Sequence, residues 1–400
     1  MQNRSLRGRR ALVGLLAMLI GASVQAQPLV VPPLSEAASA ALVTVTPGEA
    51  VYSRFGHTGI RIHDPVQGLD VLYNFGTFRF DEWFLFKFAY GALDYELSSA
   101  SFPRAVAFYR DVERRGVVAQ TLRMTPDQVQ ALFEALEVNL RPENRTYRYD
   151  FLFDNCATRP RDVIERVLGE ALVRPPPRSS GHTFRQLIDP YVSGASVVHL
   201  GIDLGLGTPV DRVATSREAT FLPDTLFTYA TRWRVRTPSG VVPLVVRTDT
   251  LVRPVPLPRD AFPWPGVVIG LLSAWGMAVT VRDAAAGRNP RRRVLDGLVF
   301  GVAGVAGLVL AFLGFVSLHR VTFPNVHLLW AVPTHLVLAV SMRRHRALRL
   351  YAWATVAGAL AFLLLWPVLP QVVPLSIFPF VALVGLRALV RAWRGERGAA

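Results

Sequence analysis

The chain has 400 residues, 51% of them hydrophobic, with 44 basic against 29 acidic side chains, a net charge of +15, and a single cysteine. The charge is segregated: residues 27–263 carry 26 basic and 26 acidic groups, and the whole excess lies before and after them. That excludes the basic footprint of a soluble nucleic-acid-binding domain, and one cysteine excludes a disulfide framework.

Arg4, Arg7, Arg9 and Arg10 precede an apolar stretch from Ala11 to Gly21, and Val24-Gln-Ala26 suits cleavage. Residues 1–26 therefore read as a secretory signal, with an uncleaved anchor as the alternative. No cysteine lies near that cleavage site, so the protein is not expected to be a lipoprotein itself. Residues 27–40 form a Pro/Ala/Ser linker, and Ala41 to Thr46 reads as a strand ended by Pro47-Gly48.

His57 to His63 alternates: His57, Gly59, Arg61 and His63 share one face, Thr58, Ile60 and Ile62 the other. This is a strand. Asp64-Pro-Val-Gln-Gly68 turns the chain, and Leu69 to Phe75 returns beside it. Phe75 to Tyr90 holds eight aromatic residues: Phe75, Phe78, Phe80, Trp83, Phe84, Phe86, Phe88 and Tyr90. They suit a core, the walls of an acyl-chain pocket or a surface resting on a bilayer. Pro126 to Leu140 reads as a helix capped by Thr125, with Leu132, Leu136 and Leu140 at four-residue spacing.

The stretch Tyr149-Asp-Phe-Leu-Phe-Asp-Asn-Cys156-Ala-Thr-Arg-Pro-Arg-Asp162 carries the most chemistry. Phe151 to Phe153 reads as a strand or a buried lead-in, Asp154-Asn155 are helix-capping types, and a helix follows to Leu168 and stops at Gly169. Cys156 thus falls near a helix N-terminus, where the dipole favours thiolate over thiol. A lone exported cysteine is a buried bystander, an intermolecular link or a reactive thiol, and these surroundings favour the last.

A nucleophilic thiol needs a base. His57, His63, His182 and His199 are the candidates before residue 264. His57 and His63 are six residues apart, about 20 Å along a strand, so they cannot serve one thiol or one metal ion together. His63 beside Asp64-Pro65 looks like a turn residue, which leaves His57. If Ile62 faces Leu69 across the hairpin, His57 faces Asn74, an adequate imidazole orienter, and a slip in register would offer Gly76 or Tyr73 instead. Residues 170–263 hold a Pro-rich connection at 175–177, a helix from Thr183 and a β-leaning tail from Thr231 to Val252.

From Trp264 onward apolar runs dominate. Five spans are expected, at about 264–281, 294–318, 326–342, 350–368 and 372–390. Arg282, Arg288 and Arg291 to Arg293 fill the first connection; Arg343, Arg344, Arg346 and Arg349 the third; Arg387, Arg391, Arg394 and Arg397 the C-terminus. Basic loops stay cytoplasmic, so residues 27–263 are expected outside the cytoplasmic membrane. His319, Asn325, His327 and His335, with Trp330 and Pro333, form a polar patch toward the outer side.

The order His, polar residue, then Cys at a helix start resembles the circularly permuted papain-like superfamily that includes lecithin:retinol acyltransferase. Within it the chain resembles the Lnb-type family. The stretches that carry this are Ser53-Arg-Phe-Gly-His-Thr-Gly-Ile-Arg61, Val71-Leu-Tyr-Asn-Phe-Gly-Thr-Phe78, Asp154-Asn-Cys-Ala-Thr-Arg-Pro-Arg-Asp162, and Gly201-Ile-Asp-Leu-Gly-Leu-Gly207 with Phe221-Leu-Pro-Asp224. The membrane stretch Thr322 to Trp330 fits more loosely. The resemblance implies an α+β, permuted papain-like thiol-acyltransferase domain at 27–263 and a transmembrane domain at 264–400. It implies transfer of an acyl chain from a phospholipid to Cys156, then to the N-terminal amine of a lipoprotein. Cys156 would be the nucleophile, His57 the base and Asn74 the third member, with Asp154, Asn155, Thr158, Arg159 and Asp162 as supporting motif residues. No metal, cofactor or nucleic acid is implied; the bacterial inner membrane is. The rivals are a membrane-tethered cysteine peptidase or amidase acting on cell-wall peptides, and a non-catalytic sensor or assembly factor.

Overall fold

Strand formation starts where β-branched and apolar residues alternate or run together. In the computed structural model, which describes residues 31–78, 81–194, 196–256, 262–286, 292–341 and 346–394, these segments make one mixed α and β body before a helical one. The signal segment, residues 27–30, Phe80 and the arginines at 288, 291, 343, 344 and 397 lie outside the described residues. Leu34–Ala400 forms one unit; Met1–Pro33, of which only 31–33 is described, forms another.

The central sheet has seven antiparallel strands. They include β1 (Ser39–Val45), β2 (His57–Asp64), β3 (Leu69–Thr77), β4 (Asp94–Ser101), β5 (Val117–Leu122) and β6 (Thr146–Arg148). The order is Val245–Val252, then β5, β1, β2, β3, β4 and β6. β1 lies in the interior, with Leu42, Val43 and Val45 fully buried. Two-sided burial suits its continuous apolar run. The helix Pro126–Leu140 packs against β1 and β4 through its Leu132 and Leu136 stripe, and a reciprocal capping box between Thr125 and Gln128 fixes its start.

The β2–β3 hairpin differs from expectation by two residues. Ile62 faces Val71 and Gly59 faces Asn74, which puts His57 opposite the Gly76 end of β3. Asp64 causes the shift. Its carboxylate accepts from the Val66 and Gln67 amides at 3.0 and 3.3 Å and from Ser35, so the turn tightens and pairing extends to Asp64–Leu69. A shift of two preserves the face each side chain points to.

Residues 151–153 are a turn, not a strand. The backbones of Asp150 and Asp154 exchange two 3.0 Å hydrogen bonds, and the Asp150 carboxylate accepts from Leu152 and Phe153 amides. Leu152 is buried under it and Phe151 packs edge-on against Phe55 and Phe221.

Among the described residues, four helices are long and apolar enough to cross a membrane: Trp264–Ala285, Arg293–Val316, Arg346–Val368 and Leu375–Trp393. The remaining apolar stretch, 326–342, is broken. It makes a 3-10 turn at Val326–Leu329 and a short helix at His335–Val340, with Pro333 between them. Backbone of this kind is tolerated at membrane depth only when protein surrounds it. Here it does: His327, Trp330, Ala331, His335 and Leu338 are buried among the long helices. Gly307 allows the approach, since a Cβ there would sit 2.6 Å from the Ala331 carbonyl. Trp330 Nε1 donates to His327 Nδ1 at 3.2 Å, His335 Nε2 donates to the Trp330 carbonyl at 2.9 Å, and Tyr351 donates to His335 Nδ1 at 2.7 Å. The expected outward polar patch is therefore divided. His327 and His335 are interior, while Asn325 donates to the Leu204 carbonyl at 2.8 Å and ties the helix Ser196–Gly205 to the membrane-side segment.

At the other end of the bundle Asp296 is fully buried beside Arg387 and Arg391. Arg387 donates to Asp296 Oδ1 from Nε at 2.9 Å and Nη2 at 2.6 Å. Arg391 donates to the carbonyls of Leu338 and Ser341, which closes the C-terminal end of the short helix.

Candidate active site

Cys156 stands two residues ahead of the helix Thr158–Leu168. Asn155 performs the capping: its Oδ1 accepts from the Ala157 and Thr158 amides at 2.8 and 3.0 Å, and its amide nitrogen donates to the Phe151 and Phe221 carbonyls. Thr158 Oγ1 accepts from the Asn155 amide at 2.7 Å. The cysteine is thereby clamped from both sides in a fixed first turn. Asp154 forms a two-bond pair with Arg159 at 2.6 and 2.8 Å, and the Arg159 guanidinium lies 3.6 Å over the Tyr147 ring. Asp162 pairs with Arg161 and Arg217. All five supporting residues thus hold the loop and helix that carry Cys156.

His57 Nε2 donates to Asn74 Oδ1 at 3.1 Å, the diagonal reach across the shifted register. That bond leaves the lone pair on Nδ1. Gly76 shows that the imidazole and the cysteine are neighbours. Its φ is +130°, and a Cβ built on it would lie 3.3 Å from Cys156 Cβ, 3.6 Å from His57 Cε1 and 4.0 Å from His57 Nδ1. One point in space thus lies beside both the cysteine and the imidazole. Any larger residue would wedge between them. Gly59 serves the other side, since a Cβ there would crowd Asn74 Oδ1 at 3.1 Å.

The other histidines are elsewhere. His63 lies 3.8 Å from Asp70, and His182 is exposed on a strand edge. His199 sits 3.5 Å from both Asp189 and Asp203. Those three residues have metal-compatible spacing, with ligand atoms within 4.8 Å of one another, and Arg185 also pairs with Asp203.

The charge states differ from the dipole argument. Cys156 is half-buried, yet the packed atoms around its sulfur push the thiol up to about 11; the Thr58 and Cys156 amides and Arg115 pull the other way without prevailing. A helix terminus contributes at most ~2 kcal/mol, and burial of an ion costs more. His57 is held down at about 4, first by burial and then by the Arg115 charge, against a smaller upward pull from Asn74. The resting pair is neutral thiol and neutral imidazole.

Sequence reasoning missed the surroundings of the pair. Tyr95, Tyr147 and Tyr149 all lie close enough to feel a charge on Cys156, and burial first, then that charge, raises their phenols. Tyr95 stacks on Tyr149 with ring centroids 4.1 Å apart. The Tyr147 hydroxyl is buried with no hydrogen-bond partner among the described residues. Behind His57, Tyr109 lies 6.5 Å ring to ring, and buried Arg115 lies 5.5 Å beyond it, held by the Thr46 carbonyl and Glu113 at 2.6 Å each. The alternation Tyr147-Arg-Tyr149 just before the cysteine stretch was the available signal; Arg115 offered none.

Two family models match the chain. One, described as the Lnb N-terminal periplasmic domain, covers residues 34–189; the other, described as the Lnb transmembrane domain, covers residues 259–397. No curated protein and no solved structure matches it. The first match contains Cys156, His57 and Asn74; the second contains all four long apolar helices.

Proposed function

Since the chain belongs to the Lnb family, and so is a membrane protein with a periplasmic domain, we propose that it is a thiol acyltransferase of permuted papain-like type that moves a fatty acyl chain from a phospholipid to a lipoprotein N-terminus. The observation that carries this reading is His57 bonded to Asn74 through Nε2, with Cys156 close by: a Cβ built on Gly76 would lie within 4.0 Å of both the imidazole and Cys156 Cβ. Such a set is what a base-activated nucleophile requires.

In the first half-reaction Cys156 Sγ attacks the ester carbonyl of the donor while its proton passes to His57 Nδ1. The tetrahedral intermediate collapses, the ester C–O bond breaks, and the imidazolium returns the proton to the departing lysophospholipid oxygen. A Cys156 thioester remains. In the second, the acceptor amine attacks the thioester carbonyl, the C–S bond breaks, and the amine proton passes through His57 to the thiolate. The amide leaves and the thiol is restored. The neutral resting pair suits this sequence, because Nδ1 must begin as an acceptor and Sγ as a donor. Asn74 keeps the imidazole in the tautomer that makes Nδ1 basic. The Cys156 amide and the unpartnered Tyr147 hydroxyl are available to the developing oxyanion.

Both substrates of this reaction reside in a membrane, and a catalyst joined to four apolar helices meets them at raised effective concentration. In this reading residues 27–263 face the periplasm and the C-terminus is cytoplasmic, which requires the broken stretch 326–342 to cross the membrane along with the four long helices. The test is expression in cells depleted of their own lipoprotein N-acyltransferase. Wild-type protein should add a fatty-acyl mass to lipoprotein N-terminal peptides, and Cys156→Ala should not. Free N-terminal amines alongside altered cell-wall peptides would favour a peptidase or amidase instead. A reporter fused after Ala400 in the same cells should read cytoplasmic; a periplasmic reading would overturn the orientation.

A further inference from the structure

The segment Phe84–Tyr90, Phe-Leu-Phe-Lys-Phe-Ala-Tyr, forms a short helix that is apolar on nearly every side, with Lys87 its one charge. Helices apolar all round are buried in protein or in lipid. This one is not buried in protein: Trp83, Phe86 and Phe88 are 61%, 58% and 56% exposed. Three exposed aromatics within six residues form a patch that a soluble surface rarely carries.

Its position is fixed by bonds to the membrane domain. The Leu318 amide donates to the Tyr90 carbonyl at 2.8 Å, and His319 Nε2 donates to the Phe88 carbonyl at 2.9 Å. Leu318 and His319 immediately follow the membrane-length helix Arg293–Val316, and Tyr90 packs 6.4 Å from Phe312 on that helix. Leu308, Phe315 and Val316, on the outer surface of the same helix, are exposed as well. The aromatic patch is thus continuous with the lipid-facing surface at one end of a membrane helix. Aromatic side chains with a polar neighbour are the residues that settle at a bilayer interface.

The other side of the segment leads inward. Phe84 stacks at 6.4 Å from Phe88 and at 5.5 Å from Phe78; Phe78 lies 5.1 Å from Tyr95; Tyr95 stacks on Tyr149 beside Cys156. An unbroken row of rings runs from the patch to the nucleophile.

We propose that Phe84–Tyr90 inserts into the outer leaflet of the membrane, with Trp83, Phe86 and Phe88 among the phospholipid chains, and that the ring row Phe84, Phe78, Tyr95 guides one acyl chain from that leaflet to Cys156. The occupant is a bilayer phospholipid, because the patch is continuous with a membrane-spanning surface. Insertion stands on geometry alone; guidance of the chain rests on the acyl-transfer reading.

The test uses the full chain in phospholipid nanodiscs. On a Cys156→Ala background, Phe86→Cys and Phe88→Cys are labelled with bimane and exposed to phosphatidylcholine brominated on its acyl chains. Leu308→Cys serves as the lipid-facing reference, and Val66→Cys, exposed at the hairpin turn, as the aqueous one. Insertion predicts quenching at 86 and 88 comparable to 308; quenching no greater than at 66 overturns it. For guidance, Trp83→Ser with Phe86→Ser is introduced into otherwise wild-type protein. The ratio of Cys156 thioester formed from bilayer phospholipid to that formed from a dispersed short-chain phospholipid should fall at least about fivefold, the loss of a local-concentration advantage. An unchanged ratio overturns guidance. If Cys156 takes an acyl group from neither donor, the acyl-transfer reading fails and guidance with it, while the quenching result still decides insertion.

Discussion

Two of the buried polar clusters among the described residues are built oppositely. Around Cys156 the groups are uncharged and incompletely satisfied: neutral His57, a protonated thiol, and a Tyr147 hydroxyl with no partner among the described residues. In the membrane bundle Asp296, Arg387 and Arg391 are charge-complementary, with at least two hydrogen bonds on Asp296 Oδ1 and two helix-end carbonyls taken by Arg391. A buried cluster tied together by charge-assisted hydrogen bonds fixes structure, whereas one of neutral groups with a spare hydroxyl has capacity left for a substrate. The first cluster reads as chemistry and the second as architecture.

The contrast breaks most visibly at the proposed catalytic pair, Cys156 and His57. His57→Ala should lower acyl transfer by about 10²- to 10⁴-fold, and Cys156→Ser with His57→Ala should be little worse than Cys156→Ser alone, because the two act as one unit. Initial rates of lipoprotein acylation check this. Independent, multiplicative losses would mean that His57 does not serve Cys156. Neither variant should lower the unfolding temperature much, since neither removes a partner of a buried charge.

Asp296→Ala should do the reverse. Removing one partner of a buried ion pair costs about 3–5 kcal/mol. Thermal unfolding in nanodiscs should show a large loss, and replacing Arg387 as well (Asp296→Leu with Arg387→Leu) should recover part of it. A stable Asp296→Ala protein would remove the architectural role assigned to that cluster.

The smallest effect concerns pH. With the thiol pushed up to about 11, alkylation of Cys156 by iodoacetamide should keep rising beyond pH 9. A thiolate–imidazolium pair would instead give a plateau across neutral pH, and that outcome would overturn the neutral resting pair. His57, held near 4 against an ordinary 6.5, is neutral in folded and unfolded chains above about pH 6.5. Below it the unfolded chain takes up a proton that the folded site refuses, so stability falls as pH drops from about 6.5 toward 4. Unfolding temperatures of wild type and His57→Gln at pH 7 and pH 5 should diverge accordingly.

Much of this was legible in the residues. The helix from Pro126 to Leu140, the hairpin faces of His57 and Asn74, and the helix that Gly169 stops are local matters of periodicity and capping. The hairpin register was not, because it depends on how the Asp64 carboxylate spends its lone pairs. Nor was the broken stretch 326–342, whose hydropathy resembles a spanning helix and whose irregular backbone is stabilised by distant partners such as Arg391. The thiol's charge state also escaped, since a dipole is local and visible while burial is supplied by tyrosines from β4 and the β6 segment.

The central claim, that Cys156 carries an acyl group, is tested most directly by intact mass spectrometry of the protein purified from membranes of cells depleted of acceptor lipoproteins. The wild-type chain should show a fatty-acyl adduct that neutral hydroxylamine removes and that Cys156→Ala lacks. An unmodified wild-type chain under those conditions would contradict it.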